Sequence, residues 1–164
     1  MGQARAGAAQ AKLNVDASFK EGSTSLGGVL RNHDGSLIFD VGFTGQAITP
    51  LDVEIDALLR VLQWFSQWGY NTMKVEIDSQ LLVNMVKEQI AHWHIHHKVM
   101  QIATLMFSFG STLIHVLREK NMAADLTVEI GREENRQFIW DGNSVHRRLH
   151  QLLYFEQEDL PYIR

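Results

Sequence analysis

The chain contains no cysteine among its 164 residues, which removes disulfides, thiolate metal sites and cysteine nucleophiles together. A reducing intracellular compartment, nucleus or cytoplasm, suits such a composition. Long apolar runs are missing too. The longest, such as Leu81 to Val86, stop well short of the roughly 20 residues needed to cross a bilayer, so no membrane partner is expected. Net positive charge is also absent. The balance of 15 Lys and Arg against 19 Asp and Glu gives a formal charge of −4, which argues against a nucleic-acid binder working by bulk charge. What is there is ordinary for a folded protein: 45% hydrophobic and 21% charged residues exclude wholesale disorder and a coiled-coil rod. At this length a single core is expected, and a monomer is the simplest assembly.

The pattern along the chain divides it into three parts. Residues 1–11 are Gly- and Ala-rich and too weakly apolar for a signal peptide, and Ala6 stands where a myristoylation signal needs Ser or Thr. They read as a flexible leader. From Lys12, alternation of Leu13, Val15, Ala17 and Phe19 with Asn14, Asp16 and Ser18 predicts a half-buried strand. Turns at Glu21-Gly22-Ser23 and His33-Asp34-Gly35 separate it from strands at Leu26 to Asn32 and Ser36 to Phe43, making an antiparallel meander. Thr49, Pro50 and Asp52 then mark a helix start, and apolar residues at spacings of three and four carry that helix to Gly69.

Beyond Gly69 the pattern alternates strand and helix. Met73 to Ile77 is a short buried strand, capped into a helix over Gln80 to Glu88 by either Asp78 or Ser79. A His-rich connection leads to a helix from about Ile95 to Phe107, a strand over Thr112 to Leu117, and a helix from about Met122 to Ile130. The expected fold is therefore α/β, a five-stranded mixed sheet in which a meander is continued by two parallel strands, flanked by helices. Residues 132–164 are expected to form an appended tail with one amphipathic helix, marked by Leu149, Leu152 and Leu153.

Four carboxylates fall where such a sheet gathers a site: Asp16 on the first strand, Glu54 near the first helix start, Asp78 at a strand end, and Asp125 in the last core helix. The segments that carry them resemble the ribonuclease H superfamily, and within it the plant ribonuclease-H-like domain related to reverse transcriptases of non-LTR retroelements. The family's K-x-N-x-D-G-S strand is matched by Lys12-Leu13-Asn14-Val15-Asp16-Ala17-Ser18, and its G-G-V-x-R-x-x-x-G hairpin by the run from Gly27 to Gly35. Glu54-Ile55-Asp56-Ala57-Leu58 stands for E-x-x-A-L, and Glu76-Ile77-Asp78-Ser79 for E-x-D-S. The run His115-Val116-Leu117-Arg118-Glu119-Lys120-Asn121-Met122-Ala123-Ala124-Asp125 matches H-V-x-R-E-x-N-x-x-A-D. Five such motifs in order are specific.

The resemblance implies hydrolysis of the RNA strand of an RNA/DNA hybrid, with Asp16, Glu54, Asp78 and Asp125 holding two Mg²⁺ ions, Mn²⁺ being a possible substitute. Four acids in one cleft would repel one another, and two divalent cations would neutralise them. Asp16 would bridge both ions, and His115 would match the family's loop histidine, associated with proton transfer or product release. Asn14, Ser18 and Asn121 are polar candidates for contacts with the hybrid, which is recognised by shape and 2′-hydroxyls. Two departures bear on activity: Ala17 replaces the family's glycine after the first aspartate, and Leu126-Thr127-Val128 puts β-branched residues where a fraying of the last core helix could follow. A competing reading is therefore the same fold as a weakly catalytic or inactive module binding nucleic acid or a protein.

Three other features read more simply as structure. His92-Trp93-His94-Ile95-His96-His97 offers His92 and His96 at helical spacing for a metal, but fits a polar surface connection. Leu62, Trp64, Phe65 and Trp68 follow helical core spacing, and Arg147-Arg148 a solvated helix face. The acids themselves carry the charge imbalance: residues 1–131 hold ten basic and thirteen acidic residues, and without the four proposed site acids the acidic count falls to nine.

Overall fold

A computed structural model describes residues 10–20, 23–46, 49–70 and 72–158. Most of the expected leader, the turn at Glu21-Gly22 and the last six residues lie outside the described residues. The elements in chain order are β1 (Ala11–Lys20), β2 (Ser23–Arg31), β3 (Leu37–Gly45), α1 (Pro50–Gln67), β4 (Met73–Ile77), α2 (Gln80–Glu88), α3 (Trp93–Ser108), β5 (Leu113–His115), α4 (Met122–Glu134), β6 (Phe138–Trp140) and α5 (Arg147–Gln157), with a 3-10 turn at Arg118–Lys120. They build one sheet in the order β5-β4-β1-β2-β3-β6. β1, β2 and β3 pair antiparallel, and β4 and β5 join as parallel strands beside β1.

The expected mixed sheet is thus present, but with six strands instead of five. The sixth, β6, comes from the segment expected to be a tail, and pairs antiparallel with β3 through Asp40–Trp140, Val41–Ile139 and Gly42–Phe138. Three residues are too few to show alternation, so the strand left no periodic signal. Its seat depends on Gly42: a Cβ there would lie 2.3 Å from the Phe138 ring. Phe138 in turn stacks on Trp140 at 3.9 Å.

The helix starts follow local chemistry. Thr49 accepts from the Asp52 amide at 3.1 Å while Asp52 accepts from the Thr49 amide, closing a capping box ahead of Pro50. Ser79, not Asp78, caps α2 by accepting from Leu82 N–H at 3.3 Å, which leaves Asp78 for other work.

Two apolar clusters fill the space on either side of the sheet. Leu13, Val15 and Val75 pack with Leu58, Leu62, Phe65, Val99 and Ile102 from α1 and α3 on one side. On the other, Val29 meets Ala123, Leu126 and Ile130 of α4 and Leu149, Leu152 and Leu153 of α5. The amphipathic helix expected over residues 132–164 is α5, and its leucine face is this buried one. Burying a leucine or isoleucine side chain contributes about 1.5–3 kcal/mol, so the second cluster fixes α4 firmly on β2. Among the described residues no helix is long and apolar enough to cross a membrane.

Candidate active site

Asp16 lies on the β1 face that carries Asn14 and Ser18, paired across to Gly27 of β2. The parallel register Asn14–Glu76 between β1 and β4, carried two residues onward, puts Asp78 level with Asp16 just past the end of β4. Glu54 reaches the same end of the sheet from the second turn of α1. Asp125 arrives from the first turn of α4, which lies close on β2 because Gly27 has no side chain: a Cβ there would sit 2.8 Å from Thr127 Cγ2. Asp16, Glu54, Asp78 and Asp125 all line one cleft of about 420 Å³, together with Ala17, Ser18, Lys20, Arg118, Glu129 and Arg132.

The crowding of these acids has an electrostatic signature. The Asp16 carboxyl is pushed up to about 8, first by burial, then by the charge of Asp78, with the charge of Asp125 and a hydrogen bond shared with it adding to the rise. Burial also raises Asp78 and Glu54. For Asp78 the nearby charges of Arg118 and His115 act in the opposite direction, and for Glu54 a hydrogen bond from Ser79 does so. His115 closes β5 opposite Ile77, one residue from Asp78, and is half-buried, but it is not among the residues that line the cleft.

The remaining candidates separate. Ser18 lines the cleft and accepts from Arg132 Nη1 at 2.8 Å. Asn14 and Asn121 do not face it, which corrects the expectation that they touch substrate. Both are buried, at 0% and 1% exposure, and their amides are committed to one network. Asn14 donates to Glu76 Oε1 at 3.1 Å and to Asn121 Oδ1 at 3.0 Å; Asn121 donates to the Val15 carbonyl at 3.0 Å; Arg31 donates to Asn14 Oδ1 at 3.0 Å. The pair ties the start of α4 to β1, and so fixes where Asp125 stands relative to Asp16. Burial with satisfied polar groups is what such residues need inside a core.

The expected fraying of α4 does not occur either. The helix runs unbroken from Met122 to Glu134, with Thr127 and Val128 buried against the sheet. Thr127 Oγ1 lies 3.0 Å from the Ala123 carbonyl and 2.7 Å from Asp40 Oδ1 of β3. Asp40 is fully buried, its Oδ2 has no hydrogen-bond partner among the described residues, and burial lifts its carboxyl to about 8. The Thr127 hydroxyl, with its single hydrogen, is within donating reach of both acceptors.

Sequence reasoning missed the basic residues of the cleft. Arg118 forms an ion pair with Asp125 at 3.6 Å, and Lys20 and Arg132 stand at the rim. Their signals existed: Lys20 continues the alternation of Asp16 and Ser18, and Glu129 and Arg132 follow Asp125 at helical spacings of four and three.

The chemistry of the donor set suits a hard divalent cation. All four site acids are hard oxygen donors, as Mg²⁺ and Mn²⁺ require, and Asp16 is raised first by burial and then by neighbouring charges that a cation would neutralise. That fits a divalent ion. Among the described residues, however, no three His, Cys, Asp or Glu side chains already stand close enough to form a ligand set, so binding would draw the carboxylates inward.

This is a ribonuclease H-like fold with an acidic cleft at the end of its central parallel strands. The chain belongs to the reverse transcriptase-like family, whose profile matches residues 14–131. Among solved structures it is similar to RNase H1 from the halophilic archaeon Halobacterium salinarum, at 21% identity and a TM-score of 0.67 over 77% of this chain and 98% of that one. It is also similar to LC11-RNase H1, isolated from compost, solved in complex with an RNA/DNA hybrid, at 19% identity and a TM-score of 0.68 over 77% of this chain and 99% of that one. No curated protein sequence matches it.

Proposed function

We propose that the chain is a divalent-cation-dependent endonuclease that hydrolyses the RNA strand of RNA/DNA hybrids. The observation that carries this reading is the convergence of Asp16, Asp78 and Asp125, close enough that charge and a shared hydrogen bond help lift Asp16 to about 8. The likeness to a protein solved with an RNA/DNA hybrid supports the substrate class.

Asp16, Glu54, Asp78 and Asp125 would hold two Mg²⁺ ions. When bound, such ions supply the positive charge that activates water and stabilises the leaving oxygen of an in-line phosphoryl displacement. The protein's own groups do the rest. Lys20 and Arg132 at the rim meet backbone phosphates, and Ser18, held by Arg132, presents its hydroxyl beside them. His115, whose charge acts on Asp78, would be the group that moves a proton beside it. Water adds to phosphorus, the bond to the 3′-oxygen breaks, and the products carry a 5′-phosphate and a 3′-hydroxyl.

A second reading, a module that binds hybrids without cutting them, is favoured by two features of the cleft. Arg118 already pairs with Asp125, and Ala17 adds a methyl group to the lining. The deciding experiment incubates the protein with labelled hybrid and Mg²⁺ beside Asp16→Asn and Asp78→Asn. Cleavage abolished by both substitutions supports the nuclease. Intact hybrid at high concentrations of folded protein sinks it and leaves the binding module, while products shortening from one end only indicate an exonuclease.

A further inference from the structure

The His-rich segment that opens α3, from its N-cap His92 onward, plays no part in the proposed hydrolysis. Four of the chain's eight histidines fall within residues 92–97. Sequence spacing pairs His92 with His96, but the fold pairs His92 with His94: their Nδ1 atoms stand 2.6 Å apart and their ring centroids 4.5 Å apart. Both rings are exposed, and His92 makes no side-chain capping bond to the helix it precedes. Trp93 between them is 83% exposed, with its ring centroid 6.1 Å from that of His92 and 5.9 Å from that of His94.

We propose that His92 and His94 form a two-imidazole chelate for a late first-row divalent ion, Cu²⁺, Ni²⁺ or Zn²⁺. Imidazole nitrogen suits these ions, whereas the carboxylate cleft suits hard ones, so the two sites select different metals. Metal–nitrogen bonds of about 2.0–2.1 Å need donor atoms about 3 Å apart. The observed separation is within a small rotamer adjustment of that, and exposed rings can make it. Among the described residues no third His, Cys, Asp or Glu joins the pair, so water completes the coordination. The positive end of the α3 dipole opposes a cation here, at a cost of roughly two- to five-fold in affinity, which leaves a chelate binding in the micromolar range. By the usual order of divalent affinities Cu²⁺ binds tightest, above Ni²⁺ and Zn²⁺.

Trp93 is a built-in reporter. Ni²⁺ and Cu²⁺ are titrated separately into the full chain while tryptophan emission is followed, with Mg²⁺ as control and circular dichroism confirming the fold of each variant. The expected result is saturable quenching at micromolar Cu²⁺ and Ni²⁺ but not with Mg²⁺. His92→Ala and His94→Ala each weaken it at least tenfold, and His96→Ala and His97→Ala leave it intact. In Trp93→Phe the quench is lost while calorimetric ion binding persists. Quenching that survives His92→Ala and His94→Ala overturns the proposal, as does quenching that His96→Ala abolishes or that needs millimolar metal.

Discussion

Asp16 and Asp40 lie on the same face of the sheet, on strands separated by β2, and both carboxyls are lifted to about 8. The causes differ. Asp16 combines burial with the charges of Asp78 and Asp125 in a cleft open to solvent, whereas Asp40 is raised by burial alone, against one partial offset from Thr127. A carboxyl raised by its neighbours' charges can be relieved by a cation that neutralises them all. One raised by burial keeps its proton whatever ions are present. The same direction of shift therefore marks a site in one place and a structural bond in the other, and the cause and the access to solvent tell them apart.

The largest expected break in this comparison is in activity. If Asp16 acts as proposed, Asp16→Asn should lower hybrid cleavage by roughly 10³-fold or more, as losing a central electrostatic element of a site does. Asp40→Asn keeps shape and hydrogen-bonding capacity and should change the cleavage rate less than about threefold, well under what a lost catalytic group costs. Equal losses in both variants, measured under single turnover, would erase the distinction.

Stability shows the opposite ranking. The folded-state value for Asp40 lies above its ordinary value of 3.8, so the folded protein holds a proton that the unfolded chain releases. Its stabilising effect is complete below about pH 4 and is lost as pH rises through about 8. Asp40→Asn should flatten that slope and raise stability at about pH 8 by on the order of 2–4 kcal/mol, with no gain at about pH 4. Urea denaturation at both pH values reads the difference. Thr127→Val, which deprives Asp40 of its partner, should cost about 1–3 kcal/mol below neutral pH, where the bond is intact.

The legibility of these two acids in the sequence differed as much as their chemistry. Asp16, Glu54, Asp78 and Asp125 could be found because each sits beside local signals: an alternating strand, a capping box, a strand end and a helix start. Asp40 gave none. It occupies the third strand of the expected meander, and the packing of α4, permitted by the missing Cβ of Gly27, helps enclose it. The errors over Asn14 and Asn121 have the same origin, since local sequence placed them near the site but could not say that they bond to each other across 107 residues. The sixth strand was missed because its pairing rests on a contact between Gly42 and Phe138, far apart in the chain. Local chemistry is written in short windows, and long-range burial is not.

Cation binding separates the two acids most finely, because it does so without changing either. With its folded value raised to about 8, Asp16 also favours the folded state below about pH 4 and withdraws that support as pH rises. A divalent cation must displace the Asp16 proton, so its affinity rises with pH until that carboxyl is ionised. Mg²⁺ at roughly ten to a hundred times its dissociation constant should therefore stabilise the fold by about 1–3 kcal/mol at about pH 8.5 and by clearly less at about pH 6. Thermal unfolding with and without Mg²⁺ at the two pH values measures the increment. In Asp16→Asn the pH dependence of the increment should vanish, and in Asp40→Asn it should persist unchanged on a flatter baseline. An increment that follows Asp40 instead would mean that the cation answers to burial and not to the crowded charges of the cleft.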